Sequence, residues 1–263
     1  MMLVMTRITS RRQFVGAGAA AMLLSAATPA NLGLIFPPAG RGVPEEGLSM
    51  YPSSVHFLVE GLGLKTMTPD GYDAVLDRIV PTSQKLASAG ARAIMLMGTS
   101  LSFYKGAAFN QKLTESMRKA TGLPAATMST AVVDGLKDVG GRRLAVATAY
   151  NDVVNERLKA FLAESGFEVL VVKGLGIEAV EGVDSVTQDG LIKFCTSVYK
   201  MAPKADAMLV SCGGLRTLEI IAPLEKLNGI PVVSSTPHAL RLGARLLGLD
   251  GRAPGFGRLL AKA

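Results

Sequence analysis

The chain has 263 residues, of which 49% are hydrophobic and 19% are charged, and its formal net charge is +7. This composition excludes a disordered or fibrous protein and is typical of one or two globular domains. Three arginines in the first thirty residues contribute to that charge, and no Lys/Arg cluster interleaves with aromatics, so nucleic-acid binding is not expected. Two cysteines and two histidines without a CxxC spacing exclude a disulfide framework and a recognisable zinc cluster.

The N-terminus resembles a twin-arginine export signal. Arg11 and Arg12 precede the weakly apolar stretch Gly16–Leu24, and small residues follow at Ser25–Ala30. That stretch is shorter than the roughly 20 residues of a spanning helix, so no stable membrane span is predicted. We expect a signal over residues 1–30, recognised by the twin-arginine export machinery, and a periplasmic or exported protein. The alternatives are a disordered extension or a misassigned start codon, with a cytoplasmic protein.

Strand-like and helix-like patterns alternate after residue 30. The predicted strands are Leu32–Phe36, Ala93–Met97, Ala125–Met128, Leu144–Thr148, Val169–Val172, Ala207–Val210 and Val232–Ser234. Helical patterns cover Tyr72–Ala89, Asn151–Ser165 and Asp189–Met201, and a further helix-like stretch covers Leu215–Leu227. Such alternation predicts an α/β fold with mainly parallel sheets flanked by helices.

Two strands end in similar sequences, which suggests an internal duplication. Met97–Leu101 follows a strand in the first half, and Val210–Gly214 follows one in the second. Ligands of open parallel sheets bind beyond the carboxyl ends of the strands. We therefore expect two lobes that face each other across a cleft, with Thr99, Ser100, Tyr150 and Cys212 on its walls.

Cys212 lies between an apolar strand and two glycines, ahead of the helix-like stretch. A thiol near a helix N-terminus is titratable, but a buried cysteine acting as a small hydrophobe is an equally good interpretation of the local pattern. Cys195, within a helical pattern, is interpreted as structural.

The triplet Gly98-Thr99-Ser100 offers turn amides and two hydroxyls, a donor set suited to an oxyanion. Helix capping is the ordinary explanation for such a triplet, and Tyr150 is either a phenol donor or a core residue. Neither His56 nor His238 has a context that indicates a partner for a nucleophilic thiol. An unassisted thiol opposite oxyanion donors is suited to moving a proton on and off a carbon beside a carboxylate.

Many of these residues fall in longer motifs that resemble the bacterial arylmalonate decarboxylases, and the resemblance covers almost everything after residue 30. The motifs are Phe36-Pro-Pro38, Tyr51-Pro52, Gly61-Leu-Gly-Leu64, Thr68-Pro-Asp-Gly-Tyr72, Met97–Asn110, Ala147–Tyr150, Val153–Arg157, Ser211–Leu215 and Val232–Ser235.

The resemblance implies the aspartate/glutamate racemase superfamily, two pseudo-symmetric lobes with the active site between them, and a small-molecule malonate substrate. It implies no cofactor and no metal. We expect the first lobe to comprise residues 31–138 and 236–263, and the second lobe residues 139–235.

The resemblance also assigns roles to residues. Cys212 is the expected proton donor, and the dioxyanion hole comprises Thr99, Ser100, Tyr150 and the amides of Cys212 and Gly213. An apolar pocket for the departing carboxylate falls on Phe36, Pro37, Leu64, Met67, Tyr72, Val180 and Val183. Phe36, Met67 and Val183 depart from the family pattern, which leaves the substituent preference open. The resemblance also implies that one enantiomer of the product forms, because a single donor protonates one face of the enediolate.

Two other functions remain open at this stage. Racemases and cis-trans isomerases of the superfamily carry a second cysteine at the position of Gly98, and glycine cannot carry a proton. An isomerase using another base is therefore the alternative enzyme. An exported two-lobed protein that only binds a small molecule is the alternative from a different class.

Overall fold

The computed structural model describes residues 30–263, and the predicted export signal lies outside them except for Ala30, which begins the first strand. The first of two four-stranded parallel sheets has the order β2-β1-β3-β4. Its strands are β1 (Ala30–Phe36), β2 (Val55–Gly61), β3 (Ala93–Leu96) and β4 (Ala125–Thr127).

The second sheet repeats this arrangement, because its order β6-β5-β7-β8 is that of the first sheet with each strand number raised by four. All its pairings are parallel. Its strands are β5 (Arg143–Thr148), β6 (Glu168–Gly174), β7 (Ala207–Ser211) and β8 (Val232–Ser234). The predicted fold class and the suspected duplication are confirmed: β3 and β7 are the equivalent inner strands of the two sheets.

Ten α-helices connect and flank the strands in the described part of the chain. They are α1 (Glu45–Met50), α2 (Pro69–Asp73), α3 (Ile79–Ser88), α4 (Thr99–Phe103), α5 (Ala107–Thr121), α6 (Met128–Asp138), α7 (Asp152–Glu164), α8 (Gln188–Met201), α9 (Leu218–Asn228) and α10 (Ser235–Leu246), with 3₁₀ helices at Leu76–Arg78 and Val180–Ser185.

Local sequence explains where several helices begin. Thr68, Thr127, Asn151 and Thr187 each accept a hydrogen bond from a backbone N–H in the first turn of α2, α6, α7 and α8. Thr127 ends β4, so α6 starts at the carboxyl edge of the first sheet. This edge is where the two lobes meet.

Helices α5, α6 and α10 were not among the predicted patterns, and the structure also differs from the predicted elements at β2, α3 and α9. β2 is an edge strand that pairs only with β1, and it was not among the predicted strands, although it contains Val55 and the apolar run Phe57–Val59. The helical pattern at Tyr72–Ala89 is interrupted by the 3₁₀ turn before α3. The stretch Leu215–Leu227 becomes helical only at Leu218.

Helix α10 follows the last strand of the second sheet and returns to the first lobe, where it packs on α6 and contacts β3 and β4. The lobe boundaries themselves stay a prediction. Among residues 30–263, no helix is both long enough and apolar enough to cross a membrane.

Candidate active site

The equivalent strands β3 and β7 lead into the two loops that carry the candidate residues. Met97 and Gly98 follow β3 and precede α4, whereas Cys212 follows β7 directly. Both strands are fully buried, which fixes the point at which each loop leaves its sheet. Gly98 and Cys212 are thus brought to corresponding positions of the duplicated fold.

A cavity of about 50 Å³ lies between these loops. It brings together eleven of the predicted residues: Phe36, Pro37, Leu64, Met67, Gly98, Thr99, Ser100, Val180, Val183, Cys212 and Gly213. The sequence did not indicate four further lining residues, which are Pro38, Arg41, Met97 and Gly214. The predicted Tyr72 and Tyr150 do not line it, although both are buried beside it.

Buried serines hold the loop that carries Thr99 and Ser100. Ser102 Oγ lies 2.8 Å from the carbonyl oxygen of Gly98 and 2.7 Å from Ser129 Oγ, and its single proton is donated to one of them at a time. Ser129 Oγ in turn donates to the carbonyl of Thr99 at 2.9 Å. Because these groups are shielded from water, the loop is held rigidly, as a preorganised donor set requires.

Ser235 connects the two loops and was given no role by the sequence. Its Oγ accepts from Thr99 Oγ1 at 2.8 Å and from the backbone N–H of Cys212 at 3.2 Å. Two of the expected oxyanion donors therefore share one acceptor. The only sequence signal for this residue is its position in Val232–Ser235, at the carboxyl end of a strand.

Two glycines allow the walls of the cavity to approach each other. A Cβ on Gly98 would lie 2.5 Å from Pro37 Cγ, and a Cβ on Gly213 would lie 3.0 Å from the carbonyl oxygen of Met97. Gly98 has an extended backbone with φ −135°, so close packing rather than backbone strain favours glycine there. At Gly213 the backbones of the two lobes are in contact.

Cys212 is 4% exposed. Burial raises the pKa of its thiol, while the backbone N–H groups of Gly214 and Leu215 and the charge of Arg41 oppose that rise. The expected proximity to a helix N-terminus is not observed, because α9 begins six residues later and Glu46 accepts from its first amides, Thr217 N–H at 2.8 Å and Leu218 N–H at 2.9 Å. The thiol is therefore held in its protonated form.

Both buried tyrosines lie close to this thiol. Tyr150 Oη is 3.3 Å from Ser211 Oγ, and its ring packs edge-on against Phe103. Burial raises the pKa of Tyr150 and of Tyr72 well above the usual value for a phenol, so both keep their protons. The Tyr72 hydroxyl has no partner at hydrogen-bond geometry among residues 30–263, although the nearby Ser100 hydroxyl opposes the rise of its pKa. Each phenol therefore remains a neutral donor.

The apolar wall is assembled from both lobes. An isolated antiparallel bridge joins Thr66 to Ala179, with hydrogen bonds from Met67 N–H to the carbonyl of Glu178 at 2.8 Å and from Val180 N–H to that of Lys65 at 3.2 Å. This pairing sets Met67 opposite Glu178 and Val180 opposite Lys65, so Met67 and Val180 lie diagonally across the bridge, and both line the cavity. The predicted apolar residues thus converge, as expected for a site that disfavours a carboxylate charge.

The remaining thiol and the histidines lie elsewhere in the structure. Cys195 is completely buried in α8, and burial raises its pKa to about 12. His238 is buried at the start of α10, where burial lowers its pKa to about 4. Neither residue lines the cavity. Within the described ranges, no three His, Cys, Asp or Glu side chains converge as a metal-ligand set.

Two parallel lobes of identical strand order, with a buried thiol and hydroxyl groups between them, define a two-lobed α/β protein whose candidate site lies between its lobes. A solved structure has the same fold: the chain superimposes with a TM-score of 0.82 on a maleate isomerase from Pseudomonas putida S16, over 88% of this chain and 98% of that one. At 21% identity, this likeness concerns the fold alone.

The family follows from closer relatives. The arylmalonate decarboxylase family profile matches residues 32–260. The arylmalonate decarboxylase of Bordetella bronchiseptica is 49% identical over 235 residues, covering 89% of this chain and 97% of the relative. A glycine-to-cysteine, cysteine-to-serine mutant of arylmalonate decarboxylase in the liganded form is 48% identical with a TM-score of 0.85, covering 88% of this chain and 98% of that one. The chain belongs to the arylmalonate decarboxylase family.

Proposed function

We propose that this chain, a decarboxylase by family, converts disubstituted aryl- or vinylmalonates into enantioenriched 2-substituted propionates without a cofactor. The observation that carries the proposal is the position of the Cys212 thiol, which lies in one cavity with the hydroxyl donors Thr99 and Ser100. The product is the monocarboxylate whose α-carbon has gained one proton.

One substrate carboxylate would accept hydrogen bonds from the hydroxyls of Thr99, Ser100 and Tyr150 and from the amides of Cys212 and Gly213. As the second carboxylate leaves, the electron pair of the broken C–C bond moves onto the α-carbon and is delocalised into the retained carboxylate. The resulting enediolate carries more negative charge than the substrate carboxylate it replaces. Donors fixed in a cavity with little water therefore stabilise the transition state more than the substrate.

The departing carboxylate would lie against the apolar wall around Leu64, Met67 and Val180. There it loses its charge when it becomes CO2, and the surrounding side chains offer no hydrogen bond to the charged form. An aryl or vinyl substituent delocalises the carbanion and lowers the barrier further.

Cys212 would then donate its Sγ proton to the α-carbon. Burial supports this role, because it raises the thiol pKa and keeps the proton on sulfur until the carbanion forms. The thiolate left behind takes a proton from water before the next turnover. Since one thiol faces one side of a planar intermediate, one enantiomer results.

Isomerisation is the competing chemistry within this fold, and Gly98 disfavours it. The wall opposite Cys212 carries no side chain at that position, and the ring of Pro37 occupies the adjacent space. A second thiol that would return a proton to the other face is therefore missing.

The two cysteines provide the test. Purified protein is incubated with 2-methyl-2-phenylmalonate, and CO2 release and product chirality are measured for wild type, Cys212→Ala and Cys195→Ala. We expect wild type to yield one enantiomer, Cys212→Ala to lose at least about 10³-fold in rate with its fold intact, and Cys195→Ala to lose only some stability. Absence of CO2 from wild type, or the reverse ranking of the variants, would refute the proposal.

A further inference from the structure

A second pocket opens beside the catalytic cavity and is several times larger, with a volume of about 330 Å³. We call it the outer pocket. The two share five lining residues, which are Phe36, Arg41, Val183, Gly213 and Gly214. The inner volume of about 50 Å³ has room for only a few water-sized groups. An aryl substituent on a malonate held at Cys212 must therefore extend into the outer pocket.

Arg41 lies at the junction of the two pockets. Its Nη2 is 3.7 Å from the place that a Cβ would take on Gly214, two residues beyond Cys212. Arg41 and Cys212 line the same inner cavity, so the guanidinium lies near the reacting centre. A substituent that leaves the cavity past Gly213 and Gly214 passes this guanidinium.

The guanidinium retains hydrogen-bonding capacity. A guanidinium has five N–H donors, and among residues 30–263 the only hydrogen bond from Arg41 is that of Nη2 to Asp184 Oδ1 at 3.0 Å. The Asp184 side chain is 60% exposed, so a pair of this kind is weak and its carboxylate is able to turn into water. A ligand acceptor therefore binds Arg41 beside Asp184 or in its place.

We propose that Arg41 determines substrate specificity by binding an anionic or strongly accepting group at the far end of the malonate substituent. The substrate class is then malonates whose aryl or alkenyl substituent itself ends in a carboxylate or a similar acceptor. This inference rests on the proposed decarboxylation and adds a third charge to the substrate.

The other charged groups of the outer pocket are already engaged. Arg216 pairs with Glu45 at the exposed side of the pocket and does not line the catalytic cavity. The Glu46 carboxylate accepts from the first amides of α9. Arg41 is the cation that lines both pockets, and Arg216, which lines only the outer pocket, provides a matched control.

The experiment compares two pairs of substrates: 2-methyl-2-phenylmalonates with either a carboxylate or a methyl group at ring position 3, and the same pair at position 4. The readout is the ratio of kcat/KM for carboxylate over methyl, which cancels any general effect of Arg41 on the thiol. At one position or both, we expect Arg41→Met to lower this ratio about tenfold or more, as loss of a charge-assisted hydrogen bond does. Arg41→Lys should restore part of it, and Arg216→Met should leave it near the wild-type value.

Asp184→Asn provides a second measurement that leaves Arg41 in place. Because this change removes the competing carboxylate, the ratio should rise several-fold. The inference is overturned if the carboxylate-to-methyl ratio is unchanged both in Asp184→Asn and in a folded Arg41→Met. It is also overturned if the ratio falls only in Arg216→Met. In either case, decarboxylation of the methyl substrates would leave the proposed function intact. Failure of wild type to decarboxylate any of the four substrates instead refutes the proposed function.

Discussion

The hydroxyl of Thr99 donates to the hydroxyl of Ser235 at 2.8 Å and joins residues 136 positions apart in the chain. The same Ser235 oxygen accepts from the backbone N–H of Cys212. One side chain at the start of α10 therefore fixes a donor on the first loop and a donor on the second.

We predict that Ser235→Ala lowers turnover about tenfold or more while the protein stays folded, because both donors lose the acceptor that orients them. Ser234→Ala is the matched control, since the neighbouring Ser234 hydroxyl is equally buried and has no partner in the described part of the chain. Steady-state kinetics and melting curves of the two variants provide the measurement. Equal kinetics in both variants would remove Ser235 from the positioning of the site.

Tyr72 carries a completely buried hydroxyl without a partner among the described residues. An unsatisfied buried hydroxyl costs about 1–3 kcal/mol, so Tyr72→Phe should preserve or raise the melting temperature. If the substrate supplies the missing partner, the same variant should also show weaker substrate binding or slower turnover. Calorimetry and kinetics on one preparation separate the two effects, and a clear loss of stability would show that the hydroxyl is satisfied in the folded protein.

The raised pKa of Glu46 predicts the direction in which the free energy of unfolding changes with pH. Burial raises its pKa from 4.5 to about 7 in the folded protein, so the folded state holds this proton more tightly than the unfolded state. Its contribution to stability is therefore fully present below about pH 4.5 and is lost as the pH rises through 7. Glu46→Gln keeps an acceptor oxygen for the amides of Thr217 and Leu218 and removes the titration.

The measurement for Glu46 is the difference in unfolding free energy between Glu46→Gln and wild type, from urea titrations at pH 5, 6, 7 and 8. Taking a difference cancels the opposite contribution of His238, whose pKa is lowered by burial. We expect the variant to gain stability relative to wild type with rising pH. A difference that does not change with pH would contradict the raised pKa.

Gly98→Cys should place a thiol on the wall opposite Cys212, and it should also lower the stability of the protein, which the sequence alone does not indicate. The new Cβ would come within 2.5 Å of Pro37 Cγ, so the variant should melt several degrees lower, and adding Pro37→Ala should recover part of the loss. With Cys212→Ser added, the only donor lies on the other face, and the product should have inverted handedness at a reduced rate. Chiral chromatography decides, and retained handedness in an active double variant would show that Gly98 does not face the reacting carbon.

Much of this architecture could be predicted because the buried parallel strands have continuous apolar sequences. Runs such as Ala93–Met97 and Ala207–Val210 can be recognised without knowledge of their partners. β2 was missed because His56 interrupts its apolar residues and Glu60 follows them, so it lacks the continuous apolar run of the buried strands. The helix start at Leu218 depends on Glu46, which is distant in sequence and has no local signature.

Site residues also differ in whether the local sequence or a distant contact brings them to the cavity. Thr99 and Cys212 follow their own strands, so their place at the carboxyl edge is a local property. Arg41 and Ser235 also follow strands, β1 and β8, but an arginine or a serine after a strand does not by itself indicate the contact that the structure shows between Ser235 and Thr99 or the place of Arg41 in the cavity lining. Tyr72 was expected in the apolar pocket, whereas it lies beside the cavity with a polar atom that no local pattern could locate.

The burial of Cys212 also determines how readily this thiol is oxidised or alkylated. Peroxide and alkylating reagents attack the thiolate at an accessible sulfur, and Cys212 is protonated, 4% exposed and enclosed by a cavity of about 50 Å³. The site thus shields its sulfur from oxidation by the same means that keep the proton in place. If Cys212 donates its proton as proposed, the sulfur is most vulnerable after each turnover, while it is an anion that has not yet recovered its proton.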